Sequence, residues 1–213
     1  MLIIGGGLLT GIAYLLGSIP FGLVLTRLFT SIDIRKSGSG NIGATNVRRM
    51  AGNLLGLLTL LGDVLKGALP VLLSMALFRG ESPELAEAST AFVAGAAFAG
   101  HLFPVYLGFK TGGKGVATAL GGYLVIAPLA VLLCLVFFVG VVKITRRVSA
   151  GSLAATALLG PAVWFTTTSA AYLAGSLFMA GFIFIRHRGN LARLIAGTEP
   201  TVGQKPDAGP AGT

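Results

Sequence analysis

The chain holds a single cysteine, Cys134, so no intrachain disulfide can form. That cysteine lies within an apolar run with no basic neighbour to lower its pKa, which argues against a thiolate nucleophile. Histidine is almost as scarce, with only His101 and His187. Of the seven acidic residues, only Asp33, Glu199 and Asp207 fall on the face predicted to be cytoplasmic. No spacing among them resembles a zinc or magnesium cluster, so neither a metal nor a cofactor is expected. Charge is thin throughout: 11% of the 213 residues are charged and 54% are hydrophobic, with mean hydropathy +0.86. A soluble domain needs more polar surface than this, so the chain reads as an integral membrane protein in contact with lipid. The net charge of +9 would suggest nucleic acid in a soluble chain. Here it follows from membrane orientation, and no basic–aromatic module of the nucleic-acid-binding kind is present.

Glycine, by contrast, is abundant at 32 residues, which suits close helix packing in a bilayer. The apolar runs predict an all-α protein. Leu2 to Thr26 reads as a first span, retained because no basic n-region precedes it and no cleavage site follows closely. Ser31 to Gly52 reads as a polar loop, and Asn53 to Phe78 as a second span. Arg79 to Ala88 reads as a polar turn, and Ser89 to Phe109 as a third span. Gly115 to Val142 is 28 residues, roughly 42 Å as one helix, too long for a single straight crossing. Basic clusters flank it on both sides, Lys110 and Lys114 before, Lys143, Arg146 and Arg147 after. If both clusters are cytoplasmic the run crosses an even number of times, so it predicts a short fourth helix and a fifth. Gly121-Gly122 and Pro128 are the candidate break points. Val148 to Ile185 gives two more spans, parted near Thr166 to Ser169. The expectation is seven transmembrane helices, some of them short, with the N-terminus outside and the C-terminus cytoplasmic. Residues 1–196 form one domain and residues 197–213 a disordered cytoplasmic tail.

Three polar, glycine-bearing stretches fall on the same predicted face. In Lys36 to Arg49, Gly38, Gly40 and Gly43 let backbone N–H groups turn inward as an anion-binding nest. Ser37, Ser39, Asn41, Thr45 and Asn46 add short hydrogen-bonding groups, and Lys36, Arg48 and Arg49 add positive charge. Basic cytoplasmic loops are ordinary, but orientation alone does not crowd Gly, Ser, Asn and Thr beside the arginines. Gly108 to Lys114 nearly spells a P-loop, yet Gly115 stands where Ser or Thr should hold magnesium. A nucleoside-triphosphate site is thereby excluded, while Gly112, Gly113 and Lys114 at a helix start remain an anion hole. In the third stretch, Arg186 to Arg193, His187 and Asn190 share a face if this end is helical, and His187 can be read as a general base or as an interfacial anchor. Asp63 and Lys66 lie deep in the second span and read as a structural ion pair; His101 reads as a structural hydrogen-bonding group.

Taken together, Gly38-Ser-Gly-Asn-Ile-Gly-Ala-Thr-Asn46 with Arg49, Gly100-His-Leu-Phe-Pro104, Gly112-Gly-Lys-Gly-Val-Ala-Thr118, and His187 with Asn190, Arg193 and Glu199 form a recognisable set. It resembles the bacterial acyl-phosphate-dependent glycerol-3-phosphate acyltransferase family. Thr111 departs from the pattern, interrupting a run of Phe-Lys-Gly-Gly-Lys-Gly. The resemblance implies a seven-helix enzyme of the bacterial inner membrane with its site on the cytoplasmic face. It implies acyl transfer from acyl phosphate to the 1-hydroxyl of glycerol 3-phosphate, giving lysophosphatidate and phosphate. It also implies a functional link to the enzyme that supplies acyl phosphate. By motif position, Ser39, Arg49, Lys114, Ser152, His187 and Asn190 would line the site. Rival readings are an organophosphate transporter, which should place anion-binding groups near the midplane, and a lipid-phosphate phosphatase, which needs a nucleophile or metal.

Overall fold

The first apolar segment is two helices, α1 (Leu2–Gly17) and α2 (Phe21–Phe29). Gly5–Gly17 and Phe21–Phe29 meet at a bend of 42°. Pro20 has no N–H to continue the ladder, and at the break the Ile19 carbonyl accepts from Phe21 N at 3.1 Å. Lys66 Nζ, from a helix further along the chain, donates to that carbonyl at 2.9 Å. The predicted single span is thus a broken one, its break satisfied by a buried lysine. The computed structural model describes residues 2–110 and 112–204, and no strand occurs among them.

The polar loop is shorter than expected. Its second half is a helix, α3 (Ala44–Ala51), that starts after extended Gly43 and stops at Gly52. It buries Asn46 and Val47 and exposes Arg48, so the residues needed for an amphipathic helix were there but masked by their polarity. Then come α4 (Asn53–Leu77) and α5 (Pro83–Leu102). α5 begins before the predicted Ser89, because the Ser82 hydroxyl accepts from Leu85 N and Pro83 fits the first turn. A 3-10 turn, Val105–Leu107, follows.

The ambiguous run divides at Pro128 into α6 (Val116–Ile126) and α7 (Pro128–Thr145). The other candidate break, Gly121-Gly122, stays helical. Its function is close packing: a Cβ at Gly121 would overlap the Val64 carbonyl, and one at Gly67 would overlap that of Thr118. The backbones of α4 and α6 therefore touch. The chain ends in α8 (Val148–Thr167), α9 (Ala170–Arg186) and α10 (Arg188–Ile195). A core of Phe98, Tyr123, Val131, Val163 and Met179 joins α5 through α9, and Tyr123 donates its hydroxyl to the Tyr172 carbonyl at 2.8 Å.

α4, α5 with its 3-10 turn, α7 and α8 are each long and apolar enough to cross a membrane, and the bent pairs α1/α2 and α9/α10 raise the number to six. α6, with 11 residues, is about 16 Å long, roughly half the hydrocarbon thickness. Leu57, Leu61, Leu65, Leu69 and Leu72 form an exposed row along α4, a surface made for lipid rather than water.

Inside that shell, Lys66 Nζ lies 2.9 Å from Asp63 Oδ1, and both side chains are buried. His101 Nδ1 stands 3.6 Å from the same carboxylate oxygen, beyond a hydrogen bond. The ion pair is present as read, whereas the predicted His101 side-chain hydrogen bond is not formed among the described residues.

The predicted tail begins too early. Residues 197–204 fold back on the helices: Val202 N donates to Arg146 O at 2.7 Å, and Arg147 donates to the carbonyls of Gly197 and Glu199. Glu199 is buried. Its Gly-Pro-Thr-rich surroundings hid the contacts that a single carboxylate makes. Residues 205–213 of that tail lie outside the described residues.

Candidate active site

Asn46 organises the first polar stretch. Its Nδ2 donates to the carbonyls of Asn41 at 2.9 Å and Ser37 at 3.0 Å, with Ile34 O at 3.4 Å. Its Oδ1 accepts from Ser39 N at 3.0 Å. The amide is consumed in shaping the loop, so the phosphate contact expected of Asn46 would have to come from the backbone around it. Asn41 Oδ1 likewise accepts from Gly43 N at 2.9 Å, closing a small turn before α3. Gly38 and Gly40 have φ of 59° and 68°, the left-handed region glycine enters freely. Ser39 and Thr45 remain exposed, and their hydroxyls make no hydrogen bond among the described residues. Asp33 is taken by Arg35, whose guanidinium holds the carboxyl at about 2.

The second and third stretches meet directly. Lys114 Nζ donates to Asn190 Oδ1 at 2.5 Å. Asn190 Nδ2 donates to Glu199 Oε1 at 2.5 Å, and Ser149 Oγ donates to the same oxygen at 2.6 Å. Arg193 Nε donates to Glu199 Oε2 at 2.7 Å. Burial alone would raise the Glu199 carboxyl, but donation from Ser149, Asn190 and Arg193 outweighs it and leaves the group a carboxylate with a lowered pKa. Lys114 is pushed down to about 8, first by burial and then by Arg193 and Arg49, while Glu199 opposes the shift. That Arg49 acts on Lys114 brings the first polar stretch into the same electrostatic field. Lys110 is exposed, and Thr111 lies outside the described residues.

His187 sits at the junction of α9 and α10 and is buried, 2% exposed. Its Nδ1 is 2.9 Å from the Ile183 carbonyl. A carbonyl can only accept, so Nδ1 carries the proton and Nε2 keeps its lone pair. Burial, and then the Lys114 charge, lower its pKa to about 4. The imidazole is therefore neutral at neutral pH and offers an acceptor at Nε2.

Ser152 lies on α8, one turn after Ser149. It is buried, and its hydroxyl donates to Val148 O at 3.0 Å. Ser149 was not anticipated, although its i, i+3 spacing to Ser152 places both on one helix face. Arg186 is the last residue of α9. It donates from Nε to Gly113 O at 3.0 Å and from Nη2 to Leu102 O at 2.8 Å. Among the described residues, no group of three or more His, Cys, Asp and Glu side chains converges on one point.

Comparison with known proteins gives this arrangement its context. A family model described as Glycerol-3-phosphate acyltransferase matches residues 7–197. A glycerol-3-phosphate acyltransferase of Syntrophotalea carbinolica is 52% identical over 187 residues, covering 88% of this chain and 92% of that one. Its counterpart from Trichlorobacter lovleyi is 51% identical over 187 residues, with the same coverage. Among solved structures, the glycerol 3-phosphate form of PlsY (YgiH), an integral membrane glycerol 3-phosphate acyltransferase, superimposes with a TM-score of 0.87 at 37% identity, covering 93% of this chain and 96% of that one. The lysophosphatidic acid form superimposes with a TM-score of 0.84 at 36% identity and the same coverage. This chain is an integral membrane acyltransferase of phospholipid biosynthesis, and it belongs to the glycerol-3-phosphate acyltransferase family.

Proposed function

We propose that this chain transfers an acyl group from acyl phosphate to the 1-hydroxyl of glycerol 3-phosphate, releasing lysophosphatidate and inorganic phosphate, with no metal or cofactor. The observation that carries the proposal is the 2.5 Å bond from Lys114 to Asn190. It unites the glycine loop with the turn bearing His187 and puts a cation beside a neutral imidazole.

Both substrates bring phosphate to a site whose cations come from two loops. Gly38, Ser39, Gly40, Asn41, Thr45 and Arg49 would form one anion-binding stretch, with Asn46 holding its shape. Gly112, Gly113 and Lys114 would form the other, with Ser152 at its margin. In the transfer step the 1-hydroxyl oxygen bonds to the acyl carbon, and the carbon–oxygen bond to phosphate breaks. Asn190, held by Glu199, would orient the acceptor with Lys114.

Two proton acceptors are available. His187 Nε2 faces the task with a pKa of about 4, a weak base near neutrality. The departing phosphate gains charge as the bond breaks and can retain the proton as hydrogen phosphate. We therefore assign His187 to accepting a hydrogen bond from the hydroxyl and aiming it, with the proton ending on phosphate. Lys114, Arg49 and backbone N–H groups would stabilise the charge that grows on the leaving group, the task a metal would otherwise perform.

Seven crossings follow if α1/α2 and α9/α10 each count once and α6 is a short one. The basic residues then favour an N-terminus outside, with the C-terminus and site on the cytoplasmic face of a bacterial inner membrane. Residues 1–196 would be the transmembrane domain, with residues 197–204 as its strap. An acyl chain could enter from lipid and glycerol 3-phosphate from water. An enzyme making acyl phosphate must supply the donor. Transport is disfavoured, since the deep charges Asp63 and Lys66 are spent on each other and on Ile19.

The test is a donor comparison with purified protein and glycerol 3-phosphate. Lysophosphatidate should form from acyl phosphate and not from acyl-CoA. Preferred use of acyl-CoA would overturn the donor assignment.

A further inference from the structure

We infer that Arg186 is a positioning residue that fixes Lys114 relative to His187, an inference that rests on the acyl-transfer reading. Arg186 is the last residue of α9, one peptide bond before His187. Its Nε donates to Gly113 O at 3.0 Å, one peptide bond before Lys114. Its Nη2 donates to Leu102 O at 2.8 Å, a carbonyl at the end of α5. Carbonyls in the last helical turn have no partner in their own helix, and a guanidinium fork can satisfy one of them while reaching a second acceptor. The Phe103 ring lies 5.8 Å from the guanidinium carbon and helps hold the fork in place.

The loop has little freedom to move away from this strut. Gly113 N donates to His101 O at 3.1 Å, so Gly113 is fastened through both its N–H and its carbonyl. A Cβ at Gly113 would overlap the His101 imidazole. A Cβ at Gly112 would overlap the Leu102 carbonyl and come 2.8 Å from Arg186 Nη2. The loop is therefore pressed flat between the end of α5 and the guanidinium, and only glycine fits there. Each end of the strut is adjacent in sequence to a residue assigned to the chemistry. A misplacement of about 1 Å between reacting groups can cost on the order of a hundredfold in rate.

A cation that merely attracts phosphate, or merely sets orientation, would be replaced well by lysine. A two-point strut would not, because an ammonium cannot span both carbonyls in the same plane. The test is steady-state kinetics of Arg186→Lys and Arg186→Gln, with thermal denaturation of each protein. Both should lose roughly tenfold to a hundredfold in kcat, with KM for acyl phosphate and glycerol 3-phosphate within about threefold of wild type. Wild-type kcat in Arg186→Lys, or a loss confined to KM or to melting temperature, overturns the inference. If Arg186→Lys does not fold, Arg186→Gln decides alone, and full kcat in that variant overturns it. A wild-type protein that forms no lysophosphatidate would instead refute the acyl-transfer reading.

Discussion

Lys114 and Asn190, 76 positions apart in the chain, are joined by a hydrogen bond of 2.5 Å. Lysine has no acceptor and Asn190 offers its oxygen, so the nitrogen of Asn190 is turned to Glu199 by necessity. The contact fixes an amide orientation, a cation and a carboxylate in a single line.

Losing a cation from the site should be costly. Lys114→Ala and Arg49→Ala are each expected to lower kcat/KM about tenfold to a hundredfold, the worth of one charge-assisted hydrogen bond of roughly 1.5–3 kcal/mol. Near-normal kinetics in both, with insertion intact, would make the glycine loops mere orienting loops.

Lys114 also predicts an alkaline limb. Its folded-state pKa is lowered to about 8, so the free enzyme loses this charge as pH rises through that value. In kcat/KM the wild type should decline above about pH 8, and Lys114→Arg should not decline there, because arginine stays charged. Identical alkaline limbs would remove Lys114 from the phosphate site.

His187 should be silent where histidines usually titrate. With a pKa of about 4, it is neutral throughout the range from about pH 5 to 9. His187→Ala should lower kcat by about a hundredfold, the cost of a misaimed hydroxyl. Wild type and His187→Gln should share the shape of any limb between about pH 5 and 7. A limb near pH 6.5 that vanishes in His187→Gln would restore the base role and contradict the lowered pKa.

Much of this was legible in the chain. The apolar runs located the helices because lipid-facing segments must be long and uncharged, and Pro128 ended α6 for the reason any proline ends a helix. The pairing of Asp63 with Lys66 followed from the cost of burying either alone. Other features depend on distance rather than spacing. Asn46 looked like a ligand by its type and is a loop staple by its partners. Glu199 sat in a segment of low-complexity appearance, and only folding reveals its three donors. Burial of His187 and the reach of Arg186 to Gly113 are likewise tertiary, invisible to periodicity.

The strap supplies its own prediction. Truncation after residue 204 should leave activity and thermal stability close to wild type, whereas truncation after residue 196 removes Glu199 and should lower both. Glu199→Ala should reproduce the longer truncation in direction, because it strands Asn190, Ser149 and Arg193 together. Full activity after truncation at residue 196 would show that the carboxylate is dispensable to the site.

Direct, metal-free acyl transfer from acyl phosphate fixes the stoichiometry of its products. Purified wild-type protein in EDTA, given acyl phosphate and glycerol 3-phosphate, is predicted to release one inorganic phosphate for each lysophosphatidate formed, with Cys134→Ala behaving the same. Phosphate released without lysophosphatidate, or product that appears only when magnesium is restored, would contradict it.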